Sequence, residues 1–325
     1  PFWQVMRFAA PALAAGNGVV LKHANNVPQC ALAIAQLFRD AGAPEGLFAT
    51  LLVEASEVKG LIEDHRISAV TLTGSTPVGK LVASQAGAVL KKQVLELGGS
   101  DAFIVLADAD IELAAKSAGK ARFQNVGQSC ISAKRFIVVD AVAEQFTQRF
   151  CHYTAELKVG NPMQRDVTIG PLARANLRDD LHDQVQRSVV QGAKLLMGGK
   201  FVEGPGFFYE PTVLGNVTSD MAAGCEETFG PAAAIMRVKD TEAAIALANS
   251  LDYGLGAGLW TQNVEEGAKL ARRIEAGAVF INGLVASDPR YPFGGIKQSG
   301  YGRELGVHGA REFTNIKTVW IGPVR

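Results

Sequence analysis

Hydrophobic positions in the first hundred residues follow two alternating rhythms. Short apolar runs at Val19-Val20-Leu21, Leu47–Val53, Ala69–Thr73 and Val94–Leu97 predict strands. Between them the period lengthens. Pro28 to Ala41 carries Ala31, Ile34, Ala35 and Phe38 on one stripe, with Pro near its start and Gly42 behind it, which predicts a helix with both termini marked. Ser75 to Ala86 reads as a second helix. Another series follows: strand Phe103–Leu106, helix Ile111–Phe123, strand Phe136–Val139, helix Val142–Leu157 and a long polar helix Arg174–Gly192. Helix Thr241–Ser250, strand Ala257–Trp260, helix Val264–Ile274 and strand Ala278–Ile281 continue it. Phe313, Ile316, Val319 and Ile321 within Glu312–Ile321 predict a terminal strand. Strands that alternate with helices pair in parallel, so the expected class is α/β with open sheets. Gly98-Gly99 is the natural hinge between the two series.

Length sharpens this picture. At 325 residues the chain exceeds what one hydrophobic core supports, so two domains are expected. Thirty-two basic and thirty-two acidic residues cancel, leaving no electrostatic footprint for nucleic acid. No apolar run is long enough for a bilayer, and no leader-like segment opens the chain. The four cysteines, Cys30, Cys130, Cys151 and Cys225, form no C-x-x-C pair and the histidines are scattered. That pattern predicts no metal site and a reducing, cytoplasmic setting. The first residue is Pro1 and the sequence enters mid-structure, so it is expected to be a fragment.

Several short motifs could carry chemistry. Thr73-Gly74-Ser75-Thr76-Pro77-Val78-Gly79 follows a strand and opens a helix, whose free N–H groups suit a phosphate. Taken alone, Ser75 reads more simply as an ordinary N-cap. Glu96, before Gly98-Gly99, could be a general base or a solvated turn residue. Cys130 closes the polar stretch Gly127-Gln128-Ser129, which suits an accessible thiol better than a packed one. With no nearby His, a thiolate there would need backbone dipoles or a cation. Glu226 to Pro231 is an acidic, aromatic loop, and Pro292 to Glu304 a long glycine-dense one.

Together, in this order and spacing, these segments closely resemble the aldehyde dehydrogenase superfamily along nearly the whole chain. The matching landmarks are Val20-Leu21-Lys22, Leu72 to Thr76, Glu96 to Gly99, Gly127 to Cys130, Glu226 to Pro231, Pro292 to Gly295 and Ser299 to Glu304. The resemblance implies an incomplete Rossmann-type dinucleotide-binding domain over 1–98. It also implies an α/β catalytic domain over 99–298, and a segment 299–325 that returns to the first domain and ends in an oligomerisation strand. Cys130 would be the nucleophile and Glu96 the base that activates water. Lys22 would reach the adenosine ribose, Gly74 and Ser75 the pyrophosphate, and Glu227 the nicotinamide ribose, with Phe229 beside it. At Asn25 NAD-preferring members often carry Glu, so a neutral Asn implies that NADP is accepted alongside NAD. The family motif Pro-Trp-Asn-Phe-Pro would end at Pro1, which implies that its oxyanion Asn and the elements before it precede this sequence.

Within the superfamily, Gln124-Asn125 before Gly127-Gln128, Ala133-Lys134-Arg135 after Cys130, and Ala286-Ser287-Asp288 look like bacterial succinate-semialdehyde dehydrogenases. Arg7 and Ser287 would then bind the substrate carboxylate, with Gln124 nearby where many semialdehyde enzymes have Arg. Arg is chemically apt because its planar fork pairs with carboxylates; the bland alternative for Arg7 is a charge on a helix surface. The expected partners are a small aldehyde and further copies of the chain, as a homodimer or homotetramer. Competing readings are a dehydrogenase of apolar or aromatic aldehydes, an inactive oligomer-forming subunit, and a cofactor-free esterase.

Overall fold

A computed structural model describes residues 1–323. It divides into two compact units, one of residues 1–96, 287–294 and 301 onward, the other of 97–286 and 295–300. The return to the first unit thus begins with 287–294, earlier than the expected crossing at Ser299.

In the first unit, α1 (Trp3–Ala14) buries Val5, Ala9 and Ala12 on one face and Arg7 on the opposite one. The sequence reading gave this helix no bounds. Strand β1 (Val19–Leu21), helix α2 (Pro28–Asp40) and strand β2 (Phe48–Thr50) follow, and β1 pairs with β2 in parallel. Val5, Ala9, Ala12, Val19, Ile34, Ala35 and Phe48 form their common core. After a short helix α3 (Val58–Glu63) come β3 (Ala69–Thr73), α4 (Thr76–Ala88) and β4 (Lys92–Glu96). Strands β3 and β4 run parallel with Thr73 opposite Glu96, so the Gly74-Ser75 turn and Glu96 leave adjacent strands at their carboxyl ends. That is where open α/β sheets place ligands.

The second unit is built on a seven-stranded sheet. Its central strands are β5 (Ala102–Val105) and β6 (Arg135–Val139), parallel and buried on both faces. Phe103, Val105, Phe136 and Val138 feed one core, with Phe146 and Phe150 of the helix Asp140–Ala155. Ala102, Ile104, Ile137 and Val139 feed the other. A strand covered on both sides tends to be apolar throughout, as β5 is and as β6 is after Arg135. Strands Lys194–Met197, Thr212–Gly215 and Ala232–Val238 complete one side of the sheet and were not legible. Ala-Ala-Ala has low strand propensity, and only burial between neighbouring strands fixes it there.

The expected terminal strand Glu312–Ile321 pairs with no strand among the described residues of its own chain. Gly306–Glu312 is helical and no strand follows it among the described residues. Strand structure needs a ladder partner, and no strand of this chain pairs with residues 313–323. Ile316, Val319, Trp320 and Ile321 are instead widely exposed. No helix of the described residues is long and apolar enough to cross a membrane.

Candidate active site

The first unit holds the carboxylate half of the predicted chemistry. Glu96 ends β4 and is only 1% exposed. Neither carboxyl oxygen finds a hydrogen-bond partner among the described residues. A Cβ at Gly294 would crowd Oε1 at 2.8 Å, so the glycine lets the loop close over the carboxyl. Burial, and then the like charge of Glu304, push the Glu96 pKa up to about 8, against the pull of Arg7 and Arg303. A solvated turn residue is therefore excluded: this is a buried acid poised near neutrality.

Arg7 is neither a surface charge nor an open fork. It is 4% exposed. Its Nε lies 2.8 Å from Glu304 Oε2, its Nη2 donates to Thr73 Oγ1 at 3.4 Å, and its guanidinium covers the Phe293 ring at 4.6 Å. One helical turn earlier on α1, Trp3 Nε1 donates to Ser287 Oγ at 2.6 Å. Trp3 and Arg7, at i and i+4, thus bring Ser287 and Glu304 to the same helix face.

Ser75 occupies the N-cap position of α4 with extended backbone angles, but its hydroxyl makes no capping bond. The ordinary-cap reading leaves that hydroxyl unused, whereas a phosphate would take it together with the first-turn N–H groups. A Cβ on Gly74 would meet only the Leu72 side chain, at 3.6 Å, so this chain's own packing does not require the glycine. Lys22 Nζ donates to Asn25 Oδ1 at 2.9 Å, and Asn25 Nδ2 donates to Glu54 Oε2 at 3.0 Å. Asn25 is itself neutral, yet it holds a carboxylate beside it.

The second unit holds the thiol half. Helix α5 (Ile111–Phe123) ends one residue before Gln124. Asn125, Val126 and Gly127 then turn left-handed, at φ 55°, 59° and 70°. A β-branched residue pays a steric penalty in that region, so other contacts must hold the turn. Asn125 Nδ2 donates to Gln128 O at 2.8 Å. The buried Arg122 donates to Ala133 O at 2.9 Å, Gly127 O at 3.1 Å and Thr228 O at 3.0 Å, and also to Gly230 O. A side chain at Gly127 would collide with Gly230 O. Cys130 sits half-buried at the end of this pinned turn. Gln124 lines an open depression of about 370 Å³ with Lys116, Lys120, Phe123 and Tyr153, and Cys130 is not in its wall.

Lys134, fully buried, donates to Cys130 O at 2.6 Å and Ser129 O at 3.0 Å. Glu227 Oε1 accepts the Gly99 N–H at 3.0 Å and lies 3.7 Å from Lys134 Nζ. Phe229 is half-buried in the same loop. Sequence reasoning gave no role to Arg122, Lys134, Glu304, Trp3 or Glu54. One signal was available: Lys134-Arg135 opens a strand that is otherwise wholly apolar, and charges in such a run are buried for a reason.

The aldehyde dehydrogenase family model matches residues 1–319. The NAD(P)+ succinate semialdehyde dehydrogenase of Escherichia coli is 53% identical over 320 residues, covering 98% of this chain and 69% of that protein. An aldehyde dehydrogenase of Paenarthrobacter nicotinovorans is also 53% identical, covering 98% of this chain and 70% of the relative. The crystal structure of succinic semialdehyde dehydrogenase from Streptococcus pyogenes in complex with NADP+ superposes with a TM-score of 0.97 at 40% identity, over 99% of this chain and 71% of that one. With these matches and the pinned cysteine turn and buried glutamate described above, the chain belongs to the aldehyde dehydrogenase family.

Proposed function

We propose that this chain oxidises succinate semialdehyde to succinate with NAD or NADP. The buried, unpartnered Glu96 carboxyl carries the chemical part of this reading. Such a group is costly unless it is used, and a raised pKa suits a base that must take a proton from water. The Cys130 thiolate attacks the aldehyde carbon, and the developing oxyanion accepts the Cys130 backbone N–H. A bound nicotinamide supplies the hydride acceptor, leaving an acyl thioester on Cys130. Glu96 removes a proton from water as the water attacks that thioester, which releases the acid and the thiol.

Ser75, the α4 N-terminus and Lys22 fit the anionic, hydroxyl-rich parts of a dinucleotide, and Glu227 would take the nicotinamide ribose. Lys22 favours an added phosphate at Asn25 and Glu54 opposes it, so both cofactors are used and Glu54 tunes the balance. For the substrate carboxylate we assign Ser287, oriented by Trp3, together with Arg7. Glu304 and Thr73 engage Arg7, but a guanidinium carries five N–H donors. The relatives' names support the semialdehyde. The exposed apolar residues of 316–321 support a homo-oligomer, a dimer or tetramer, and the four free cysteines fit a cytoplasmic setting; light scattering that finds only monomer would overturn the oligomer.

The test is formation of reduced nicotinamide with succinate semialdehyde beside hexanal, using NAD and then NADP. A strong semialdehyde preference, lost in Arg7→Met/Glu304→Gln, is expected. The double change avoids leaving Glu304 buried without its cation. Hexanal rates equal to or above those of the semialdehyde would overturn the substrate and leave the family standing.

A further inference from the structure

Four positions after Cys130, Lys134 places an ammonium where none is needed for packing. Its side chain is 0% exposed. A buried charge costs several kcal/mol unless it is well paired, and an apolar residue of similar volume is often the more stable choice. Lys134 spends its donors locally. Two hydrogen bonds reach the carbonyls of Cys130 and Ser129, at 2.6 and 3.0 Å, and the third direction points to Glu227 Oε1 at 3.7 Å. Its backbone N–H is fixed as well, donating to Asp101 O at 3.1 Å. The space is tight: a Cβ at Gly99 would lie 3.1 Å from Cys130 O.

We infer that Lys134 is a positioning residue for the nucleophile: it clamps the two carbonyls beneath Cys130 and holds a buried positive charge that favours the thiolate. This supplies the cation that the sequence around Cys130 lacks, since no histidine lies near it along the chain. The inference rests on Cys130 being the nucleophile. The charged groups facing Lys134 are Glu227, Asp101, Arg122 and Cys130 itself. Burial lowers the Lys134 pKa, and Glu227 and then Asp101 oppose that. Asp101 is itself pushed up to about 7 by burial.

The experiment is alkylation of Cys130 by iodoacetamide across pH 5–10, read by peptide mass spectrometry on the full chain. Lys134→Met keeps the stem and removes the charge. Its labelling midpoint is expected to rise by about one pH unit, with labelling at pH 7 about tenfold slower. Lys134→Arg keeps the charge, and its midpoint is expected to stay with the parent. A folded Lys134→Met with an unchanged midpoint overturns the inference. Should Lys134→Met fail to fold, Lys134→Gln decides: its amide can still donate to the two carbonyls but carries no charge, so the midpoint should rise as for Lys134→Met. An unmoved midpoint there also overturns the inference. Cys130→Ser tests the underlying reading separately: aldehyde oxidation surviving that change would sink the nucleophile assignment, while the Lys134 profile in the parent would still report the clamp.

Discussion

The cysteine turn of the second unit and the glutamate pocket of the first both bury polar groups, and they treat them in opposite ways. Around Cys130 the buried cations Arg122 and Lys134 take the carbonyls of Gly127, Ser129, Cys130, Ala133, Thr228 and Gly230. Around Glu96 the carboxyl oxygens have no hydrogen-bond partner, and the adjacent Glu304 adds like charge that Arg7 only partly offsets. One region uses hydrogen bonds to hold a strained backbone in a single shape. The other withholds them, so that a proton becomes the missing partner. Geometry and proton affinity are thus set by the same force, desolvation, with and without satisfied donors.

Glu96→Gln gives the largest expected effect on the pocket side. It mimics the protonated acid, so folding should survive while steady-state turnover falls about 10²- to 10⁴-fold. Rapid-mixing measurements should still show an initial burst of reduced nicotinamide, because only thioester hydrolysis is lost; loss of the burst would mean that Glu96 serves an earlier step. Stability gives a second readout. The folded-state pKa near 8 lies above the ordinary 4.5, so the folded form holds the proton more tightly. The parent should therefore lose stability as pH rises from about 4.5 through about 8, and Glu96→Gln should flatten that slope in denaturant titrations.

Arg122→Met attacks the other side of the contrast. It strands several buried carbonyls, and denaturant melts should show a loss of about 3–5 kcal/mol. A loss near zero would mean that the left-handed turn needs no anchor. Glu304→Gln is milder. Removing its charge lowers the Glu96 pKa, so the alkaline rise of hydrolysis-limited turnover should move to lower pH; a stationary limb would detach Glu304 from the pocket. The smallest effect belongs to Glu54, an exposed carboxylate that water already stabilises. Glu54→Gln should raise the NADP-to-NAD ratio of kcat/KM by only about three- to fivefold, as expected for screened surface charge.

Much of this was legible in the chain. The helix Ile111–Phe123 and the strand Ala278–Ile281 match their predicted bounds, because their signals are local: periodicity, caps and short apolar runs. Cys130 and Glu96 stood out through their neighbours, Gly127-Gln128-Ser129 and Gly98-Gly99. The strand Ala232–Val238 stayed hidden because alanines acquire strand structure only between partners. The burial of Arg7 was not legible because its counter-charge, Glu304, lies nearly the whole chain away, and among the described residues no strand of its own chain pairs with the segment 313–323.

By itself the sequence determined the α/β alternation and the family and singled out the two candidate reacting residues, all of which are written in spacings of a few residues. Only the tertiary structure decided that Glu96 is buried without a partner, that Arg7 is shared with Glu304 and that Lys134 lies beneath Cys130. Those facts set protonation and orientation. They depend on which distant groups exclude water from a carboxyl, a guanidinium or an ammonium, and no local pattern encodes that.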